Sequence, residues 1–267
     1  GWASTNTLGC LAAAFVLIAL FIVIERRTAS ALVPLSIFSN RSLSVSNLVS
    51  LALGASIFSM FYFLSLYMQQ VLGYSALKTG VGYLSIAGAI IVAAGAAQSL
   101  VAKLGVRLVM SIGMAFAAGG LVYFAQISPH GTYVGTLLPG FLLAGVGLGL
   151  SFVPVTIGAV TGVGPHEAGV ASGLITTTQQ IGGALGVAVL STIAVSATTR
   201  FIGSHGHGPL AQVNALNHGF SIAFWFGAVF AVIGCLVALF GMTGTGVTDA
   251  HGSERVIEEG SSEIEPA

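Results

Sequence analysis

Between Leu43 and Phe240 the chain carries five charged side chains, Lys78, Lys103, Arg107, Glu167 and Arg200, and each falls in a break between long apolar runs. An ionised group in hydrocarbon costs about 2.5 kcal/mol or more, so charges confined to the gaps mark a sequence fitted to lipid. Hydrophobic residues at 55% and charged residues at 6% exclude an ordinary soluble domain of this length. No Asp or Glu lies within any apolar run, so these spans are not expected to hold an intramembrane carboxylate relay. Six of the eight acids fall at the carboxy-terminal end, which leaves the body weakly basic and the tail acidic.

Backbone amides in lipid must be satisfied within their own segment. These runs are continuous rather than alternating like barrel strands, so the predicted fold class is an all-α membrane protein. Length and breaks place seven transmembrane helices, at 8–24, 43–71, 79–102, 106–127, 133–160, 168–198 and 219–241. Pro139 and Pro154 are expected as kinks in the fifth. The first run lacks the basic leader and cleavage site of a signal peptide and reads as a true span. Because the chain begins Gly-Trp without an initiator Met, it is expected to be a piece of a longer protein. Residues 28–42, with Pro34, read as an interfacial cytoplasmic connector that separates an extra span in 1–27 from the spans of 43–242. Residues 243–267 read as a disordered acidic cytoplasmic tail. Cys10 and Cys235 are far apart in apolar runs and read as packing residues.

The bases set an orientation. With the first span ending in the cytoplasm, Arg26, Arg27, Arg41, Lys103, Arg107 and Arg255 fall inside, and only Lys78 and Arg200 fall outside. The amino end is then outside and the tail inside.

Glycine, at 37 residues, is concentrated in the spans. The pairs Gly145/Gly149, Gly169/Gly173 and Gly182/Gly186 have the four-residue spacing that lets helix backbones approach closely, and Gly183 extends the last stripe. Gly145, Gly147 and Gly149 follow no strand and are not a nucleotide loop. Two spans carry polar stripes. On the second, Asn47, Leu51, Gly54, Phe58, Phe61, Tyr62, Ser65 and Gln69 recur at helical steps; on the sixth, Ser172, Thr176, Gln179, Gly183 and Gly186 do so. Interhelical hydrogen bonding would explain each residue singly, whereas two matching stripes suit a shared cavity. The seventh span has no strongly polar side chain from Ile222 to Phe240 and is expected at the periphery.

Enzyme signals fail one by one. His166-Glu167 begins like a zinc-protease helix, but the second His, one turn on, is Val170. A helix start explains the segment, with Pro165 as first residue and Glu167 in the first turn. His205 and His207 have no nearby Cys or acid to complete a metal set. There is no paired intramembrane Asp, and Gly54-Ala55-Ser56-Ile57 lacks the glycine that follows a rhomboid-type serine. No catalysis, cofactor, metal or nucleic-acid partner is expected.

Three stretches together carry a resemblance: 61–75, FYFLSLYMQQVLGYS; Phe152-Val153-Pro154-Val155-Thr156; and 168–174, AGVASGL, followed by 180–186, QIGGALG. From Gly1 to about Gly241 the chain resembles the carboxy-terminal half of major facilitator superfamily transporters, in the fourteen-span drug:proton antiporter branch. The resemblance implies that the first span is an extra helix and that the other six form one six-helix bundle. It implies alternating access, protons as coupling ion, a small amphipathic substrate, and an amino-terminal half as partner, in a bacterial inner membrane. Asn47, Phe58, Tyr62, Gln69, Thr176 and Gln179 would line the substrate cavity. Lys103, Gly105 and Arg107 resemble the degenerate second copy of the cytoplasmic gating loop, with Ala102 where the family has an acid. Two other readings stay open. A seven-helix receptor fits the span count, although the third span lacks an acid-Arg-aromatic triplet and the seventh an Asn-Pro turn or retinal-binding Lys. A structural membrane subunit without transport is the other.

Overall fold

The computed structural model describes residues 4–28, 33, 35–164, 166–206 and 208–242. Pro34, Pro165, His207 and the acidic tail lie outside the described residues. Among the described residues the chain is helical, with no strand.

Helix α1 (Thr5–Arg27) is capped by Ser4, whose hydroxyl accepts the Thr7 amide at 3.3 Å, and ends on Arg26 and Arg27, cations suited to the negative end of the helix dipole. Its apolar side chains, Phe15 and Leu17 among them, are exposed along its length. Such a helix meets lipid or another chain rather than a core of its own. Glu25 is the exception: it is buried, and its carboxylate accepts the Val33 amide.

The rest of the chain forms α2 (Arg41–Leu66), α3 (Ala76–Gly82), α4 (Leu84–Phe124), α5 (Leu138–Val160), α6 (Ala168–His205) and α7 (Pro209–Gly241). A π-helical turn, Tyr67–Val71, extends α2, and another, Tyr133–Leu137, leads into α5. Six helical stretches are long and apolar enough to cross a membrane, because the predicted third and fourth spans run together as Ala76–Phe124.

That merged stretch is not straight. At 41 residues a straight α4 would be about 60 Å long, twice a bilayer core of about 30 Å. Gly105 interrupts it with φ 79° and ψ 160°, a backbone that side-chain-bearing residues rarely adopt. Contacts with α5 show the reversal. Gly145 meets Ile86 and Ala89, and Gly149 meets Ile90 and Ala93, so the limb before Gly105 runs parallel to α5. Gly147 meets Ala117, and Gly120 meets Ala144, while Gly113 meets Leu150 and Ser151, so the limb after Gly105 runs antiparallel. The Gly-x-Gly-x-Gly spacing explains how one helix serves both limbs. Positions 145 and 149 share a face and 147 points the opposite way, so α5 is packed backbone-close on both sides.

The two ends of the bundle are closed differently. At one, Asn40, Arg41 and Ser42 tie three helices. Asn40 caps α2 through the Leu43 amide at 3.1 Å and donates to the Thr161 carbonyl at the end of α5, 3.0 Å away. Ser42 donates to the Gly158 carbonyl at 2.7 Å. Arg41 Nε and Nη2 reach the Gly241 and Phe240 carbonyls at 2.8 and 3.4 Å, ending α7. Each bond satisfies a carbonyl that a helix terminus leaves free. At the other end tyrosines do this work: Tyr67 donates to the Ser128 carbonyl (2.7 Å), Tyr83 to Phe61 (2.9 Å) and Tyr133 to Gly82 (2.9 Å). Inward of them the rings of Tyr83, Phe141, Phe124, Phe224 and Phe63 follow one another at centroid spacings of 5.5 to 6.3 Å.

Three details depart from expectation. Pro139 is no kink, because it occupies the first turn of α5, where a missing amide costs little. The carbonyl four residues before it, on Gly135, accepts the Tyr123 hydroxyl at 2.7 Å instead. Pro154 does lie inside the helix. Glu167 precedes α6 rather than entering its first turn, and makes no side-chain cap. Helix α7 is peripheral on one face only. Trp225, Val229, Val232 and Leu236 are exposed, while Phe224, Ala228 and Ala231 enter the core. Two of its polar side chains satisfy carbonyls just beyond α4: Ser221 donates to that of Ala125 and Asn217 to that of Ile127.

Candidate functional site

The stripe on α2 starts inside a helix contact. Asn47 is 8% exposed; it donates to the Leu43 carbonyl at 3.0 Å and accepts the Thr178 hydroxyl at 2.9 Å, tying α2 to α6. Higher up, Gly54 rests on the main-chain carbonyl of Gln179, Gly182 on that of Leu51, and Gly186 on Ala55 at the distance of direct backbone contact. Pairing order runs the same way in both helices, so α2 and α6 are parallel. Gly183 lies under the Phe58 ring. Gly169 and Gly173, by contrast, face open space.

Beyond Phe58 the stripe opens. Phe58 is 40% and Tyr62 43% exposed, and Gln69, carried round by the π turn, is exposed as well. Phe61 and Ser65 turn instead toward Tyr83, whose hydroxyl lies 2.9 Å from Ser65 Oγ. On α6, Thr176 is exposed with its hydroxyl returned to the Ser172 carbonyl at 3.2 Å, whereas Gln179 is half-buried. The fully exposed polar groups beside Thr176 are Thr177 and Gln180, which periodicity alone did not select. Gln180 follows Thr176 by four residues and Gln179 by three, so either glutamine fits the stripe; the approach of Gly54 decides between them.

Past Phe58 the two helices part and leave a groove of about 140 Å³, open on one side. Tyr62, Phe63 and Leu66 form one wall, and Ser191, Val195 and Thr199 the other. Phe220 of α7 closes the back, its ring 5.9 Å from that of Phe63.

The loop residues occupy the α4 reversal. Gly105 makes the turn, Lys103 is exposed, and Arg107 is half-buried with a buried Nε that has no hydrogen-bond partner among the described residues. Cys235 donates weakly to the Ser111 carbonyl at 3.2 Å, a packing role; Cys10 is exposed on α1 and packs no core. Among the described residues there is no cluster of His, Cys, Asp or Glu able to hold a metal.

Helices long and apolar enough to cross a membrane define a multi-pass membrane protein. The chain belongs to the Major Facilitator Superfamily, which its residues 1–187 match. It is similar over 270 residues, at 30% identity, to the puromycin resistance protein pur8 of Streptomyces alboniger, covering all of this chain and 52% of that protein. It is 36% identical over 201 residues to the cephamycin export protein CmcT of Amycolatopsis lactamdurans, covering 74% of this chain and 41% of the relative. The MFS-type transporter EfpA of Mycobacterium tuberculosis is 29% identical over 97% of this chain and 50% of its own length. The chain thus spans about half the length of the curated relatives it matches. Membership places it among transporters rather than enzymes and sets aside the receptor reading.

Proposed function

We propose that this chain is the carboxy-terminal half of a fourteen-span, proton-coupled exporter of amphipathic drug-like molecules in a bacterial plasma membrane. The observation that carries the reading is the uncovered face of Phe58, Tyr62, Thr176, Thr177 and Gln180, exposed on two helices of an otherwise apolar bundle. Polar side chains are poor lipid neighbours, so such a face belongs against water, substrate or another bundle. The open glycines one turn before that face on α6, Gly169 and Gly173, leave room for the close approach of an amino-terminal half. Export as the activity is supported by relatives named for puromycin resistance and cephamycin export.

Seven crossings follow from counting the two limbs of α4 separately. The last six then form the bundle, α1 stands as an extra span, and the Asn40–Ser42 end lies in the cytoplasm with Lys103 and Arg107, the amino end outside. Lys103, Gly105 and Arg107 serve as the gating loop. Gly145, Gly149, Gly182, Gly183 and Gly186 pack helices. Asn47 and Gln179 brace the cavity wall rather than face substrate, and Gln69 stands at the outer rim. Glu25 and Glu167, the acids among the described residues, are at helix ends, so the proton-carrying group belongs to the other half.

The test uses the full-length protein in a bacterium stripped of its own efflux pumps. Tyr62→Ala and Gln180→Leu should change the relative resistance to puromycin, lincomycin and tetracenomycin C at near-normal membrane abundance, while Gln179→Leu depresses all together. A uniform decline for Tyr62 and Gln180 would remove them from the cavity. Absence of resistance with the unmutated protein would sink the export reading itself.

A further inference from the structure

We propose that the groove between α2, α6 and α7 is a ligand subsite of its own, which takes the uncharged aromatic part of an amphipathic molecule. The proposal rests on the export reading for its physiological use, but not for its geometry. Helices α2 and α6 are locked backbone to backbone as far as Phe58, and the cleft opens between them beyond that contact.

Its chemistry is selective. Three aromatic rings line it: Phe63 lies 5.9 Å from Phe220 at the back, and the Tyr62 ring stands edge-on to Phe63 at 5.2 Å. Of the hydroxyls on the α6 wall, that of Thr199 is used by its own helix, at 2.9 Å from the Val195 carbonyl. Those of Tyr62 and Ser191, on opposite walls, have no partner among the described residues. Both belong to residues that line the groove, so an apolar pocket carries a few polar groups not used by the fold. No charged side chain lines the groove. A cation entering it would lose hydration without an ion partner, so a neutral ring system is favoured over a permanently charged one. At about 140 Å³ the space is smaller than the roughly 300–1,000 Å³ of pockets that enclose a whole drug, so it suits one aromatic moiety.

The experiment uses the full-length transporter in lipid nanodiscs, with neutral N-phenyl-1-naphthylamine as probe and tetraphenylphosphonium as the charged aromatic control. Ser191→Trp, which fills the groove, should raise the Kd for the neutral probe about tenfold, and leave that of the cation within about twofold. A cysteine introduced by Thr199→Cys, after replacement of Cys10 and Cys235, should react more slowly with a maleimide when the neutral probe is present, and at an unchanged rate with the cation. The cysteine variant is a small change at an exposed position, so it decides the matter even if Ser191→Trp fails to fold. An unchanged alkylation rate under saturating neutral probe overturns the proposal, as does equal protection by both compounds. Because both readouts are of binding, a transporter that protects Thr199→Cys yet confers no resistance would retire the export reading and leave the groove standing.

Discussion

Gly105 shows how much one backbone angle decides. Its φ of 79° with ψ of 160° lies where a Cβ is strained, and such positions cost about 1–3 kcal/mol when filled by another residue. Gly105→Ala should therefore lower the midpoint of thermal unfolding of the purified protein; an unchanged midpoint would mean that the two limbs can turn by another path. The residue was legible in the sequence as part of a loop with a charge on either side. Its conformation was not, since one glycine among 37 carries no mark of its φ. The two glutamines illustrate the same limit. Helical spacing admits both Gln179 and Gln180, and only the partner helix, pressing Gly54 against the backbone at 179, determines which side chain remains outside.

Among the elements, α5 is the most demanding. A side chain at Gly147 would meet the Ala117 backbone, and one at Gly149 would lie 2.6 Å from both Ala93 Cβ and the Ile90 carbonyl. Neither neighbour is a flexible tip that could swing away. Gly147→Val should cut membrane abundance and melting temperature, with an overpacking cost of about 1–3 kcal/mol, while Gly9→Val on exposed α1 should leave both near wild type. Equal tolerance at the two sites would contradict the sandwich. The four-residue spacing of Gly145 and Gly149 was readable; the role of Gly147 was not, because a stripe seen from one face hides a residue serving the other. The π turns at Tyr67 and Tyr133 left no signal either, since one extra residue per turn shifts no hydropathy average.

At the scale of the whole molecule, the apolar runs of the first five spans were legible to within a few residues, because lipid permits so few alternatives, whereas α6 runs on to His205 and α7 starts as early as Pro209, where polar side chains had marked a break. What spacing could not supply was depth. The α2 and α6 stripes read as one cavity face, yet Asn47 is consumed by Thr178 within the helix contact and Tyr62 stands in a groove. The proposed orientation has a direct check. In a background without Cys10 and Cys235, Ser128→Cys and Ser204→Cys should react with an impermeant maleimide on intact cells and Ser253→Cys should not; the opposite pattern would invert the molecule. Expressed without the amino-terminal half proposed for it, the chain should move neither drug nor protons in liposomes, and proton-driven efflux there would place coupling within these helices.

The Asn40–Ser42 clasp has a consequence in time. Arg41 binds carbonyls 199 and 200 residues further along the chain, and Asn40 one 121 residues along. At a synthesis rate of about 5–20 residues per second, the guanidinium waits roughly 10–40 s for α7 to be made. During that interval Asn40 and Ser42 can fasten α2 to the end of α5 once that helix is made, but the guanidinium is answered only by water and lipid headgroups. Helix α7, the last among the described residues, thus completes a contact begun at the start of α2, so an interruption near Gly241 would leave the preceding helices without that closure.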